Sequence, residues 1–343
     1  MIKLEHGAGG LEMLEFIVKN IAAKVPQHLR NTPGGYGLDY LDDGAIIDVG
    51  SGNYLAFTID SYTIKPLKFP GGDIGKLAAS GTINDLLMMG AKPLALVDAI
   101  VVEEGIDESL VEDVVGSFVS TVAQVGAHIV GGDFKVMPRG SIDGIIITTS
   151  GVGLTRNPIV DRRIRVGDAV IVSGPVGDHG AVIAAAQLGL LEKVSGLASD
   201  VKPLHDLMIP LVDRYGSFIH AAKDPTRGGL ASALYEWVRG TQLSIVVYRD
   251  SIPVRQATKN FLELLGVDPL NSASEGVAVL AVSKEVYSEV LEFIRKLGYS
   301  ETAVVGEVIE PPADFLWGKV IAKTEVGGYT LVESSPLLTP RIC

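Results

Sequence analysis

Apolar residues fall along this chain in short runs that close at glycine or at an acidic side chain. Between residues 11 and 21, Leu11, Leu14, Phe16, Ile17, Val18 and Ile21 recur at helical spacing, so a helix is predicted just after Gly7, Gly9 and Gly10. Ala45–Val49 and Tyr54–Asp60 read as strands. The FPGG loop at 69–72 leads into a helix that starts near Asp73, a natural N-cap, and runs to about Met89. A strand over 94–102, a helix over about 107–125 and strands near 127–130 and 142–153 complete the first half. The second half predicts strands at 169–173, 243–248, 277–282 and 302–308. Helices are predicted from about 181 and near 204–215, 228–240, 255–266 and 284–298. The mixture lacks a strict strand–helix–strand rhythm, which points to two α+β domains rather than one doubly wound parallel sheet.

The polar, proline-containing segment 155–167 separates the halves, and a chain of 343 residues suits two domains. The expected division is 1–158, 159–325 and a mobile tail over 326–343. No apolar run approaches the roughly 20 residues that span a bilayer. The first residues lack the apolar core of a signal peptide, so a cytoplasmic setting with no membrane contact is expected. A net charge of −12 argues against nucleic acid as a partner and suits a protein that collects Mg²⁺. The single cysteine, Cys343, excludes an internal disulfide and a Cys₂ zinc site within one chain.

The candidate chemistry lies where aspartates meet glycine-rich turns: Asp42, Asp43, Asp60, Asp73, Asp85, Asp133, Asp178 and Asp224. Carboxylates on such turns suit Mg²⁺, which takes oxygen ligands and shares them with phosphates. Glycine backbone N–H groups can cradle phosphate oxygens. PGGDIGKL is not a Walker loop, because Leu77 stands where Ser or Thr is needed, and no GxGxxG occurs. Any ATP must therefore be held by carboxylate-bound metal and glycine backbone. Lys135, two residues after Asp133, can put a cation near phosphate. Glu275, just ahead of an apolar strand, can act as a base. His6 and His179 adjoin glycine but show no metal-ligand spacing. The thiol of Cys343 is a usable nucleophile at neutral pH. From Gly328 its tether could extend about 50 Å at about 3.3 Å per residue.

The motifs HGAGG (6–10), DDGA (42–45), TIDSYTIKPL (58–67), FPGGDIGKLA (69–78), GTINDL (81–86), GGDFKV (131–136), VSGPVGDHG (172–180), DPTRGGL (224–230), SEG (274–276), VGEV (305–308) and PRIC (340–343) closely resemble the HypE family, the carbamoyl dehydratases of nickel–iron hydrogenase maturation. That family belongs with aminoimidazole ribonucleotide synthetase, selenophosphate synthetase and thiamine-monophosphate kinase. The resemblance covers nearly the whole chain. It implies a two-domain α+β architecture of the aminoimidazole ribonucleotide synthetase type, with ATP binding and homodimerisation in the first domain. It implies ATP and Mg²⁺ as cofactors. It further implies that HypF carbamoylates the terminal thiol, that ATP drives dehydration to a thiocyanate, and that the cyano group passes to iron on a HypC–HypD complex.

By matching motifs, the resemblance assigns Asp43, Asp60, Asp85 and Asp224 to the metal. Gly9, Gly10, Gly71, Gly72, Asp133 and Lys135 are assigned, with Asp43, Asp60 and Asp85, to the nucleotide. Cys343, Lys135 and Glu275 are the implied catalytic residues. Phe134 and Val277 depart from the Thr and Lys that family members often carry at these places. The alternatives are a small-molecule kinase or selenophosphate synthetase of the same superfamily, and a non-catalytic protein that presents its tail to partners. The terminal PRIC and the aspartate set argue against them.

Overall fold

A helix with polar residues scattered all round has no obvious place on a surface, and the segment after FPGG finds its place inside. In the computed structural model, which describes residues 1–7, 9–323, 328–334 and 342–343, the chain opens with α1 (Gly10–Asn20). It then forms β1 (Ala45–Gly50) and β2 (Asn53–Tyr62), paired antiparallel. A small ribbon of β3 (Lys68–Phe69) and β4 (Gly72–Asp73) delivers α2 (Ile74–Met88). Every residue of α2 except Lys76 is buried. Asp73 caps it, accepting from the N–H groups of Gly75 and Lys76 at 2.8 and 2.9 Å, and from the Ser117 hydroxyl at 2.5 Å. Asp73 therefore holds a helix start, not a metal.

The strands β5 (Lys92–Glu103), β6 (His128–Met137) and β7 (Ile145–Thr155) complete the first sheet, with α3 (Glu108–Val125) crossing between β5 and β6. The order is β1-β2-β7-β5-β6, and only the β5–β6 pair is parallel. The helix α2 packs across β2, β5 and β7. The opposite face is open and presents Phe57, Ile59 and Val97 to solvent. Strand β6 is exposed along its whole length at the sheet edge.

The second half comprises β8 (Ala169–Val172), α4 (Asp178–Gln187), α5 (His205–Tyr215), β9 (Ile219–Lys223), α6 (Gly229–Val238), β10 (Ser244–Val247), α7 (Gln256–Leu265), β11 (Val279–Val282), α8 (Tyr287–Lys296), β12 (Ala303–Ile309), β13 (Val320–Lys323) and β14 (Tyr329–Leu331). Its sheet runs β14-β13-β10-β12-β8-β11-β9, antiparallel except for β10 with β13. On one face α6 buries Trp237 against the strands. On the other, α4, α5 and α8 join α2 and the first sheet in a single apolar core shared by both halves.

Three strands of this sheet were not expected from the pattern. IHAAK (219–223) is buried at every position, so it shows no alternation, and its small residues give it little apolar signal. VIAK (320–323) and YTL (329–331) are shorter still. The tail expected from 326 is thus anchored at two described places. Tyr329–Leu331 is an edge strand, and Ile342 and Cys343 are buried in the shared core. Residues 324–327 and 335–341 lie outside the described residues, and with them Pro340 and Arg341 of PRIC. So does Ala8 of HGAGG. Among the described residues no helix is long and apolar enough to cross a membrane.

Candidate active site

Three carboxylates from distant parts of the chain converge between the two sheets. Asp43 precedes β1, Asp85 lies in the last turn of α2, and Asp224 directly follows β9. One oxygen from each lies within 4.8 Å of the others. Thr58 on β2 places its hydroxyl 2.8 Å from the Asp85 carboxylate. Asp60, two residues on, lines the same cavity of about 320 Å³, together with Thr226, Arg227 and the α1 residues Met13, Leu14 and Ile17.

So many buried negative charges oppose one another. Burial first, then Asp60, Asp224 and Asp43, hold the Asp85 carboxyl well above its usual range. Burial, then Asp43 and Asp60, do the same to Asp224, against Lys223. Asp60 is raised by burial, with Arg227 opposing. Lys223, at the end of β9, supplies a buried counter-charge: it meets Asp43 at 2.5 Å, Glu236 at 3.1 Å and Asp161 at 3.5 Å. Asp42, on the same loop as Asp43, is pushed up to about 6 by burial despite that lysine.

Whether this cluster suits Mg²⁺ is decided by its donors. All are hard carboxylate oxygens, and Oδ2 of both Asp43 and Asp224 is buried without a hydrogen-bond partner. Unpartnered buried carboxylate oxygens on converging residues are the donor set that a hard divalent cation takes. Asp43, Asp85 and Asp224 fit it.

A second, far smaller chamber of about 20 Å³ opens beside the first, sharing Asp60, Asp85, Asp224 and Arg227 and adding Tyr62, Glu275 and Cys343. Glu275 is buried, and its own N–H donates to Asp200 at 3.1 Å while its Oε1 has no partner. Burial, then Asp224 and Asp200, raise its carboxyl well above the usual value, with Arg227 opposing. Burial pushes the Cys343 thiol up to about 12; Arg227 works against this, and Glu275, Asp60 and Asp224 add to it. A main-chain oxygen of Cys343 accepts from the Thr63 N–H at 3.1 Å.

Residues 41–155 match the N-terminal domain of AIR synthase related proteins, and residues 165–319 match their C-terminal domain. The carbamoyl dehydratase HypE of Rhodobacter capsulatus is 38% identical over 349 residues, covering 100% of this chain and 98% of that protein. A crystal structure of a HypE in complex with ATP matches with a TM-score of 0.79 at 35% identity over 100% of both chains. The chain belongs to the HypE family. The structure of a HypE–HypF complex matches as well, with a TM-score of 0.83 at 34% identity over 92% of this chain and 99% of that one. The resemblance and the two-domain architecture that it implied are both borne out by these matches.

Set against the HypE motifs, the site gathers some of the expected residues and scatters others. Asp43, Asp60, Asp85, Asp224, Glu275 and Cys343 come together. Asp133 and Lys135 do not line either chamber; they are paired with each other on the exposed strand β6. Phe134 between them is exposed as well, whereas Val277 is a core residue. Asp178 bonds Thr258 and Arg255 at the start of α4. The glycines act through close approach. A Cβ on Gly9 would sit 2.7 Å from the backbone of Arg227, so the HGAGG loop presses on DPTRGG. A Cβ on Gly71 would sit 2.5 Å from the carbonyl oxygen of Ser199. Gly10 is buried beside Gly228, and Gly72 packs on Val201.

Two cations at the site were not singled out in the sequence. Arg227 reaches both chambers, and its pKa is pushed up further, first by charge at Cys343 and then, against burial, by Asp60 and Glu275. Lys223 holds Asp43. Lys223 precedes and Arg227 follows Asp224, and a carboxylate cluster this large needs buried counter-charge, so that need was the available signal.

Proposed function

We infer that the chain is an ATP-dependent carbamoyl dehydratase of hydrogenase maturation, working in the cytoplasm on a carbamoyl group carried by its own Cys343. The observation that carries this reading is the burial of Cys343 in a chamber with Glu275 that shares Asp60, Asp85 and Asp224 with the carboxylate cavity.

The group S–C(=O)–NH₂ becomes S–C≡N by losing its oxygen and both nitrogen protons. The carbamoyl oxygen attacks the γ-phosphorus of ATP and ADP leaves. The C–O bond then breaks, phosphate departs, and the two nitrogen protons leave as the triple bond forms. Mg²⁺ held by Asp43, Asp85 and Asp224 would neutralise phosphate charge, with Asp60 beside it. Arg227, charged and facing both chambers, opposes negative charge that develops between them. Glu275 accepts protons from nitrogen. Its raised pKa makes its ionised form a strong acceptor, matched to the acidic protons of a phosphorylated carbamoyl group. Asp200, which accepts from the Glu275 N–H, holds the backbone that carries that carboxyl.

The seated thiol is 8% exposed, so it leaves its seat to be carbamoylated. HypF is the donor protein, and iron on HypC–HypD receives the cyano group. We further place a second copy of the chain on the open face of the first sheet, where Phe57, Ile59 and Val97 form an unpartnered apolar surface. In register, Asp133 lies opposite Ala99 and Lys135 opposite Val101, which puts both on that same open face as Val97. Lys135 then serves at the face between copies, facing the second chain rather than its own carboxylates. Ile59→Asp should yield monomers by light scattering if the second copy sits there.

The decisive experiment is mass spectrometry of the C-terminal peptide after incubation with HypF, carbamoyl phosphate and Mg·ATP. Cys343 should gain a carbamoyl group and then lose one water. An unmodified Cys343 under conditions where HypF is active overturns the reading.

A further inference from the structure

The end of the chain is held from both halves of the molecule. From the first, the Thr63 N–H donates to a main-chain oxygen of Cys343. From the second, His179 in the first turn of α4 places its Nε2 at 2.8 Å from the Ile342 carbonyl oxygen. Its Nδ1 lies 2.7 Å from the Ser199 hydroxyl. His179 is fully buried and lines neither chamber, so the chemistry proposed above leaves it without a task.

The hydrogen-bond pattern fixes its state. A carbonyl oxygen only accepts, so Nε2 carries the hydrogen. Burial holds the imidazole down to about 4, so the ring is neutral near pH 7 and Nδ1 is bare. Ser199 must then donate to Nδ1, while its oxygen accepts from the Val201 N–H at 3.1 Å. Phe69 stands edge-on to the ring with centroids 5.4 Å apart. Gly71, on the same ribbon, allows the backbone of Ser199 to come close. The FPGG motif and the GDHG motif thus meet beside the C-terminal dipeptide.

We propose that His179 is a positioning residue for the dehydration, a latch whose Nε2–H seats Ile342 so that Cys343 enters the chamber beside Glu275, with Ser199 setting the tautomer. The latch rests on the carrier role of Cys343, and it divides the two half-reactions. Weakening it exposes the thiol, which leaves carbamoylation by a partner unimpaired and slows the buried dehydration.

The test is the rate at which iodoacetamide alkylates Cys343 in the full-length protein, followed by intact mass, which requires no carbamoyl chemistry. His179→Ala should alkylate about three- to tenfold faster than the parent, the size of one net hydrogen bond. His179→Gln, whose amide can donate to the same carbonyl, should stay within about twofold, and Ser199→Ala should fall between. In a single turnover of the carbamoylated protein with ATP, the Ala variant should dehydrate slower by a similar factor, and the Gln variant should recover most of the rate. A parental alkylation rate in His179→Ala, or a Gln variant as fast as the Ala variant, overturns the latch. If alkylation follows the expected order while no protein, the parent included, dehydrates, the latch stands and the carbamoyl reading fails.

Discussion

The Nζ of Lys223 stands 2.5 Å from Oδ1 of Asp43, tying the end of β9 to the loop ahead of β1. A buried cation thus fixes a carboxylate proposed to bind metal and joins the two halves of the chain. Burial works against its charge, but Asp43, Glu236 and Asp161 outweigh it and hold the ammonium pKa well above normal. Lys223→Met leaves three carboxylates without their counter-charge. It is expected to lower stability by about 3–5 kcal/mol in urea unfolding at neutral pH. Parental stability in that variant would mean that the network is idle.

Asp85→Asn and Asp224→Asn should separate function from stability. Each removes a proposed cation ligand, so ATP-dependent dehydration should fall by about a hundredfold or more. Each also removes a buried carboxyl whose ionisation burial and its acidic neighbours oppose. The melting temperature in EDTA should therefore hold or rise, and a large fall there would contradict the crowding of charge.

Metal binding should release protons. Without a cation, Asp85 and Asp224 are held well above the usual carboxylate range, mainly by burial. A cation binds the ionised forms and displaces those protons. Titration calorimetry with Mg²⁺ in two buffers of different ionisation heat should show the release, diminishing as pH rises.

Glu275→Gln should stop the chain half-way. Carbamoylation of Cys343 requires no acceptor in the chamber, so the mass of the carbamoyl adduct should appear. The later loss of water should slow by about a hundredfold or more. Equal loss of both steps would assign Glu275 a structural role.

The seat of Cys343 should open in alkali. Its thiol is raised from 9.0 to about 12, chiefly by burial, so seating favours the protonated form. For a raised pKa, this stabilisation is complete below the unfolded value and is lost as pH rises toward the folded one. The alkylation rate, taken relative to a free thiol peptide, should be flat below pH 9 and climb above it. A flat ratio through pH 11 would count against the buried thiol.

Asp43 in DDGA and Asp224 in DPTRGG were legible because each stands where a glycine-containing turn interrupts the apolar pattern, whereas Asp60 lies within β2 and Asp85 within α2. The N-cap at Asp73 was legible for the same reason. Lys223 was hidden, because a fully buried strand of small residues has no period and a lysine at its end resembles a surface residue. The His179–Ile342 contact spans 163 positions, and no local spacing encodes it. Lys135 shows the opposite failure. Its motif is plain, but which sheet edge it occupies depends on β6 pairing parallel with β5 at the end of the sheet.

That the thiol beside Glu275 belongs to the same chain has a kinetic consequence. Once charged, each molecule holds one equivalent of its own substrate at fixed effective molarity, so dehydration is first order in protein and indifferent to dilution. Saturation can then be defined for ATP but not for the carbamoyl group. Turnover is counted in visits of the chain end, and throughput is set by how often the seat empties and refills.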